Sequence, residues 1–302
     1  MGREIFFVIS KVTQNLASTK CQFLSHVWYI LFFSQCLFAN ENKDYVIGHL
    51  EGQPGNNFFQ IATTSALAWD NGVEPFFPQL GSLPTLYNHF FSRCKIMPPS
   101  PAISSIWIEP FFRYHPIFYQ PQLQLKGYFQ SWRYFDYYRD RLIALFAPSS
   151  RDMAYIKKKY SHLINQPNTV AVQIRYYVED PYTYAQYGRD YFEKAMSLFS
   201  DDSLFVVSSN RIEFAKQEVP TEGRNVIFLE NEPPYIDFHI LTMCSHSIIT
   251  NSTFGWWCAY LNRNIHQRVV CPLYWSAHDC ADMCPASWIK IGAKRLDPSL
   301  VK

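Results

Sequence analysis

The sequence predicts an α/β protein whose C-terminal half is a doubly wound parallel sheet, with a second lobe before it. From residue 168 onward, short apolar runs such as Thr169–Arg175 and Leu204–Ser208 alternate with amphipathic segments. Short apolar runs separated by helices are typical of parallel strands that are covered by helices on both faces. With 302 residues, of which 48% are hydrophobic, the chain is long enough for two packed lobes, each with its own core.

The N-terminal lobe is predicted to begin with a strand and a helix. Tyr45–Ile47 is a short apolar run that opens into a glycine-containing loop. Apolar residues then recur at helical spacing from Phe58 to Trp69, with Asn56 as the expected cap and Gly72 as the end of the helix. Residues 73–77 predict a second strand.

The rest of the chain divides into an irregular and a regular part. Residues 78–125 are rich in proline and aromatic residues and show no clean period, so no element is predicted there, whereas residues 131–163 predict two helices broken at Pro148. Beyond residue 168 the pattern predicts strands at 169–175, 204–208, 226–229, 247–250 and 268–271, and helices at 189–199, 211–218, 235–244 and 252–261.

Residues 1–44 differ from the body and predict a signal peptide or signal-anchor. Lys11 and Lys20 precede an apolar stretch at 21–39, which contains too many polar residues to be a strong membrane span. The basic flank would leave the body on the far side of the membrane. A misplaced start codon is the alternative. The body is predicted to contain lobes at 45–165 and 166–302.

Composition argues against several classes of protein. The net charge of +2 and the lack of a basic stripe argue against a nucleic-acid binder, and Lys157–Lys159 predicts a solvated helix face. The eight cysteines include no Cys-x-x-Cys pair, so no metal site is expected, and a disulfide or buried thiols are expected among Cys271, Cys280 and Cys284. The aromatic content of 18% suits a carbohydrate ligand but is expected mainly to fill the core.

Two features of the regular lobe predict an anion site. The chain contains no P-loop, no G-x-S-x-G or H-E-x-x-H motif and no Asp-x-Asp pair, so arginine, hydroxyl and backbone donors would have to hold a phosphate. Arg175 ends the first strand of this lobe, and Asn251-Ser252-Thr253 opens a helix after another strand. The alternatives are a surface salt bridge for Arg175 and simple helix capping for Ser252.

Several segments resemble the same family. In order along the chain these are GQPGNNFFQIA (52–62), GYFQSWRYF (127–135), RDYFEKAM (189–196), LFVVSSN (204–210) and YIDFHILTMCSHSIITNSTFGWWCAYLN (235–262). They resemble segments of glycosyltransferase family 11, the α-1,2-fucosyltransferases, which have GGxGNQxFQYA, GYFQSEKYF and NSTFSWWGAWLN at the first, second and last of these places. Order and spacing are kept over residues 45–276.

The resemblance implies a GT-B-like two-lobed fold and an activity. That activity is metal-independent, inverting transfer of fucose from GDP-fucose to a galactose-type hydroxyl, with no cofactor. Arg175 corresponds to an arginine of the family's H-x-R-R-G-D-Y motif and would hold the diphosphate. The other donor-binding residues that the resemblance implies are Gly55, Asn56, Asn57, Gln173, Ser208, Asn210, Asp237, Asn251, Ser252, Thr253 and Phe254.

The arginine motif departs from the family pattern. The segment reads QIRYYVED (173–180), so Tyr176 and Tyr177 stand where the family has its second arginine and its glycine. Glu179 and Asp180 lie just beyond the position of the family's aspartate, and either would serve as the catalytic base after a small shift of the loop. The alternatives are a non-catalytic relative that binds a nucleotide or a glycan, and a transferase for another GDP-sugar.

The resemblance also implies partners and a location. GDP-fucose and a glycan acceptor are the expected ligands, nucleic acid is not expected, and the acceptor contacts are expected from residues 78–125. Residues 21–39 would associate the protein with a membrane, of the Golgi in a eukaryote. In a bacterium the protein would work at the cytoplasmic face or in the envelope.

Overall fold

The computed structural model describes residues 44–78, 88–111, 113–275 and 282–301. The signal peptide or signal-anchor predicted for residues 1–44 lies, apart from Asp44, outside this part of the chain and stays a prediction. Within the described ranges, no helix combines the length and the apolar character that crossing a membrane requires.

The first sheet has four parallel strands. These are β1 (Tyr45–Gly48), β2 (Glu74–Phe76), β3 (Ser105–Ile108) and β4 (Leu123–Lys126), in the order β2-β1-β4-β3. Strands β3 and β4 lie in the region for which the sequence predicted no element. In β3, Ile106 and Ile108 are exposed because it is an edge strand, so it has none of the burial that makes a parallel strand recognisable.

Helix α1 (Pro54–Asp70) follows β1 and is buried along most of its length. Its N-cap is Gln53, so the prediction that Asn56 caps it is wrong, because proline at the first helical position starts the helix three residues earlier. Asn56 lies in the first turn, and its Oδ1 accepts a hydrogen bond from Gln130 Nε2 at 3.1 Å. Gly72, with φ of +65°, ends the helix as predicted.

Two helices connect the first sheet to the second. After two short 3₁₀ turns at Trp132–Tyr134 and Asp136–Tyr138, the chain forms α2 (Arg139–Leu145) and α3 (Ser150–Ile164). The predicted break at Pro148 is present. Ser149 caps α3, because its side-chain oxygen accepts a hydrogen bond from the backbone N–H of Asp152 at 3.0 Å.

The second sheet has six parallel strands with helices between them. The strands are β5 (Thr169–Ile174), β6 (Leu204–Ser209), β7 (Asn225–Phe228), β8 (His246–Ile249), β9 (Val269–Pro272) and β10 (Ile289–Ile291). The helices are α4 (Arg189–Met196), α5 (Ile212–Glu218), α6 (Pro234–Thr242) and α7 (Thr253–Tyr260). The sequence predicted all of these except β10, which is only three residues long and mostly exposed.

The strand order of the second sheet locates its crevice. The order is β10-β9-β8-β5-β6-β7, so the chain leaves β5 in one direction through β6 and β7 and then returns to the other side with β8. Loops that follow β5 and β8 therefore diverge at this point, and they open a crevice at the carboxyl ends of these strands. Arg175 and Asn251 lie at these ends.

An aromatic core joins the two sheets through α1 and α7. Phe58 of α1 stacks on Phe238 of α6, with ring centroids 4.9 Å apart and an angle of 9° between the planes. Phe59 contacts Trp256 and Trp257 of α7 at 4.5 and 5.0 Å between centroids. All five side chains are buried, as expected for a protein so rich in aromatic residues.

Candidate active site

A cavity of about 610 Å³ lies at the carboxyl ends of the second sheet and is closed from the other side by residues of the first lobe. Its wall includes every predicted site residue except Asn57 and Asp180. The wall also includes residues that the sequence did not single out for the site, among them Gln53, Phe90, Tyr128, Gln130, Tyr177, Tyr184, Glu232 and Trp275.

The starts of α1 and α7 lie side by side in this wall. A Cβ atom added to Gly55 would be 2.4 Å from Thr253 Oγ1 and 2.6 Å from the backbone nitrogen of Phe254, so only glycine allows this approach. Ser252 caps α7, and its Oγ accepts a hydrogen bond from Gly255 N at 3.3 Å. The positive ends of two helix dipoles lie side by side here, which makes this part of the wall favourable for an anion.

Arg175 adds a fixed cation beside these helix starts. Its backbone N–H donates to Thr250 Oγ1 at 3.0 Å, which holds the residue at the end of β5. Its guanidinium donates to the Glu179 carboxylate and lies 5.3 Å from the centre of the Tyr177 ring. The candidate phosphate ligand and a candidate base are therefore an ion pair in this structure.

The two tyrosines that follow Arg175 fix the loop. Tyr176 is fully buried, and the Asn210 side chain bonds both its N–H and its C=O at 2.9 Å. Asn210 therefore uses its amide group on the backbone. Tyr177 donates its hydroxyl to the backbone oxygen of Asn251 at 2.7 Å and stacks on Tyr184 at 4.1 Å between ring centroids.

Asp237 is a buried carboxyl group in the wall. Its Oδ2 accepts a hydrogen bond from Ser208 Oγ at 2.6 Å. Burial raises the pKa of Asp237 to about 7, the charge of Glu232 adds to this effect, and the bond from Ser208 opposes it. Asp237 therefore changes charge close to neutral pH.

Three buried acceptor atoms in the wall lack a hydrogen-bond partner among the described residues: Asp237 Oδ1, Gln173 Oε1 and Asn251 Oδ1. The other half of each amide is engaged, since Gln173 Nε2 donates to Ile174 O at 3.3 Å and Asn251 Nδ2 donates to Trp275 O at 2.8 Å. Most buried polar atoms in proteins are hydrogen-bonded. Three such acceptors belong to residues of one cavity wall, which marks this cavity as the candidate ligand site.

Asn57 and Asp180 lie outside the wall. Asn57 is buried and donates to Glu51 O at 3.0 Å and to Gln60 Oε1 at 3.1 Å, so it holds the loop before α1. Asp180 accepts a hydrogen bond from Thr183 N at 3.3 Å within its own loop.

Glu232 is a wall residue that sequence reasoning missed. Its Oε1 accepts hydrogen bonds from Tyr160 at 2.6 Å and from Tyr155 at 2.9 Å, and it also pairs with Lys159. Burial alone would raise the pKa of Glu232, but these three donors outweigh burial and lower it. Lys159, predicted on a solvated helix face, is therefore paired. No sequence signal marks an acid whose partners come from a distant helix.

The cysteine and metal predictions can be followed only in part. Within the described ranges, no group of three or more His, Cys, Asp or Glu side chains is arranged to hold a metal ion. Cys271 and Cys284 are buried, whereas Cys280 lies outside the described residues.

Solved structures of other proteins share this fold. The crystal structure of the α-1,6-fucosyltransferase NodZ soaked with GDP-fucose matches with a TM-score of 0.53 at 13% identity, over 78% of this chain and 98% of NodZ. NodZ co-crystallised with GDP matches with a TM-score of 0.52 at 12% identity, over 72% of this chain and 92% of NodZ. The predicted GT-B-like fold is thereby confirmed.

The family follows from the sequence. Residues 50–289 match glycosyl transferase family 11, so the chain belongs to this family, as its motifs predicted. Galactoside α-(1,2)-fucosyltransferase 2 of Oryctolagus cuniculus is 28% identical over 235 residues, which are 70% of this chain and 65% of that protein. The protein of the same name from Pongo pygmaeus is 30% identical over 236 residues, which are 70% of this chain and 67% of that protein.

Proposed function

We propose that this protein transfers fucose from GDP-fucose to a galactose-type hydroxyl and forms an α-1,2 linkage with inversion and without a metal. The observation that carries the proposal is the cavity in which Arg175, two helix starts and three unpartnered buried acceptors converge. The names of the relatives supply the acceptor class and the transferred sugar, and the NodZ structure that was soaked with GDP-fucose supplies the donor.

The guanine base would lie at the Asp237 end of the cavity. Asp237 and Ser208 are on the β6–β7 side of β5. The edge of guanine carries two adjacent N–H donors, on N1 and on the 2-amino group. An ionised Asp237, with Oδ1 unpartnered among the described residues, can accept from this edge, and burial strengthens such a charge-assisted bond.

The diphosphate would lie at Arg175 and the starts of α1 and α7. Negative charge grows on the departing GDP as the bond to fucose breaks. A fixed guanidinium and aligned N–H groups stabilise this charge more in the transition state than in the ground state. These positive groups are the support for transfer without a metal.

Glu179 is the proposed base. In the free protein its carboxylate neutralises Arg175. The diphosphate would replace it on the guanidinium, and the released carboxylate would take the proton of the acceptor hydroxyl. The acceptor oxygen then bonds to the anomeric carbon from the face opposite GDP, and GDP leaves with the electron pair of the broken bond.

Calorimetric titration of the full chain with GDP and with GDP-fucose tests the donor site. We expect both ligands to bind and Arg175→Ala to weaken binding by about tenfold or more, because a charge-assisted contact to phosphate is lost. Arg263→Ala is the matched control, since Arg263 is exposed and outside the cavity wall. If the unmodified protein bound neither ligand, the proposal would fail.

One observation favours a second candidate, a non-catalytic nucleotide-binding relative. Tyr176 stands where the family has a second arginine, and its ring is buried against Phe214 at 4.8 Å between centroids, so this position contributes no cation to the cavity. GDP binding without GDP release from GDP-fucose in the presence of galactosides would favour this candidate.

The lumenal side of the Golgi remains the proposed location. Its support is that the relatives named above come from mammals and that a signal-anchor is predicted at 1–44. Microscopy of the full chain beside the same chain without residues 1–43 would test it.

A further inference from the structure

One end of the cavity is aromatic. Tyr177, Tyr184 and Trp275 line it from the second lobe, and Tyr128 lines it from the first. We call these four residues the aromatic end. We propose that the aromatic end is the subsite for the acceptor sugar, a pyranoside of the galactose type; this inference rests on the proposed function.

The order of the strands gives the cavity a direction. Asp237 and Ser208 lie on the β6–β7 side of β5, and Arg175 lies at the end of β5 itself. Trp275 follows β9, which lies two strands from β5 in the opposite direction. A donor with its base at Asp237 and its diphosphate at Arg175 therefore points its sugar toward the aromatic end, and the acceptor must meet the donor there.

The aromatic end is held in place by hydrogen bonds that run through Asn251. Tyr177 donates to Asn251 O at 2.7 Å, and Asn251 Nδ2 donates to Trp275 O at 2.8 Å. Tyr184 stacks on Tyr177 with 15° between the ring planes. Two stacked rings of one loop and the backbone of Trp275 are thus held before any ligand binds, which lowers the entropy cost of binding.

The chemistry of this end suits a sugar ring. A pyranose has an apolar face of C–H groups, which packs against an aromatic ring, and a rim of hydroxyls, which needs polar partners. Asn251 places a polar side chain next to Trp275, because its Nδ2 donates to Trp275 O and its Oδ1 has no partner among the described residues.

The proposed base lies beside the aromatic end. Arg175 lies 5.3 Å from the centre of the Tyr177 ring, and Glu179 pairs with Arg175. The side chain of Glu179 is 59% exposed, so it is open to a hydroxyl that enters from solvent. An acceptor stacked on Tyr184 would therefore present a hydroxyl near the carboxylate that is proposed to deprotonate it.

The test compares Tyr184→Ala with Tyr184→Phe in the full chain. Two rates are measured: hydrolysis of GDP-fucose by water, and transfer to lactose and to phenyl β-galactoside. We expect Tyr184→Ala to raise the KM for both galactosides by about tenfold while GDP affinity and hydrolysis stay within about twofold, because only the acceptor loses a ring contact. Tyr184→Phe keeps the ring and should keep the KM.

Tyr182→Ala is the matched control. Tyr182 belongs to the same loop, is 80% exposed and lies outside the cavity wall, so its removal should leave all rates unchanged. An unchanged galactoside KM in Tyr184→Ala would overturn the acceptor subsite, as would an equal loss of hydrolysis and transfer, which would place the ring against the donor. Failure of the unmodified protein to bind GDP would instead refute the proposed function.

Discussion

At the scale of single residues, the site is defined by polar atoms that the protein itself leaves without partners. Leaving a buried acceptor unpaired costs about 1 to 3 kcal/mol, so three in one cavity are a cost that a ligand would remove. Asp237 is the residue for which this has a measurable consequence, since one carboxylate oxygen is engaged by Ser208 and the other has no partner among the described residues.

GDP binding should depend on pH through Asp237. Its pKa in the free protein is raised to about 7, so its carboxyl group is protonated below that pH and cannot accept from both N–H groups of guanine. We expect the affinity for GDP to fall by up to about tenfold for each pH unit below 7 and to be level above it. Calorimetry from pH 5 to 9 measures this.

The matched variant for the pH dependence is Asp237→Asn. It should bind GDP weakly at every pH and retain only the shallow dependence that comes from the phosphate of GDP, whose second pKa is about 6. A full dependence in the variant would show that another group is responsible.

The contacts of Glu179 and Asp180 distinguish these two candidates for the catalytic base. Glu179 lies in the wall and pairs with Arg175, whereas Asp180 bonds the backbone of its own loop. We expect Glu179→Gln to lower the rate of transfer by about 100-fold or more and to bind GDP at least as tightly as the unmodified protein, because the competing carboxylate is gone. Asp180→Asn should transfer nearly normally, and the reverse pattern would assign the base to Asp180.

At the scale of elements, the site depends on the contact between α1 and α7. The two helices start against each other at Gly55 and Thr253, so the positive ends of both helix dipoles lie in the same place. One of these helices belongs to the first lobe and the other to the second. The anion site therefore depends on the distance between the two helix starts.

Gly55→Ala should separate the two helix starts. The added methyl group would lie 2.4 Å from Thr253 Oγ1 and 2.6 Å from the backbone nitrogen of Phe254, and the backbone cannot move away as a flexible side chain could. We expect a loss of about 1 to 3 kcal/mol in the free energy of unfolding, measured in urea, and a clear loss of GDP affinity.

Gly292→Ala is the control for this change. The nearest atom to an added Cβ there is 3.9 Å away, so stability and GDP affinity should both be kept. Unchanged GDP affinity in Gly55→Ala would mean that the paired helix starts do not hold the ligand.

At the scale of the whole molecule, one aromatic core joins the two sheets. Phe58 is the centre of this contact, because its ring packs on Phe238 and Trp257 from the second lobe and on Phe91 and Phe146 from the first part of the chain. Phe58 belongs to α1, so the helix whose start forms part of the anion site also makes the contact between the lobes.

Phe58→Ala should weaken the molecule as a whole. Removing a fully buried phenyl ring costs about 3 to 5 kcal/mol, and the cavity that remains lies between the lobes. We expect the free energy of unfolding to fall by this amount, as measured by urea denaturation with tryptophan fluorescence as the readout. Tyr137→Ala, at a side chain that is 93% exposed, is the control, and a loss as small as in Tyr137→Ala would mean that the lobes do not depend on this core.

The sequence by itself determined the doubly wound sheet, the family and about half of the residues that line the cavity. Strands β5 to β9 could be predicted because a parallel strand that is buried on both faces consists of a continuous run of apolar residues. Strands β3, β4 and β10 were missed. Strands β3 and β10 are short and partly exposed at a sheet edge, where partners rather than residue type decide the pairing. Strand β4 is an inner strand, but it has only four residues, of which two are buried, so it makes no continuous apolar run.

Only the tertiary structure decided how the predicted residues are used. It paired Arg175 with Glu179, assigned Asn210 to the backbone of Tyr176, and left Asp180 outside the wall. It also added the aromatic end, whose rings come from both lobes. The physical reason is that hydrogen bonds and ring contacts of this kind join residues far apart in the chain, so their geometry depends on the packing of the lobes and not on local spacing.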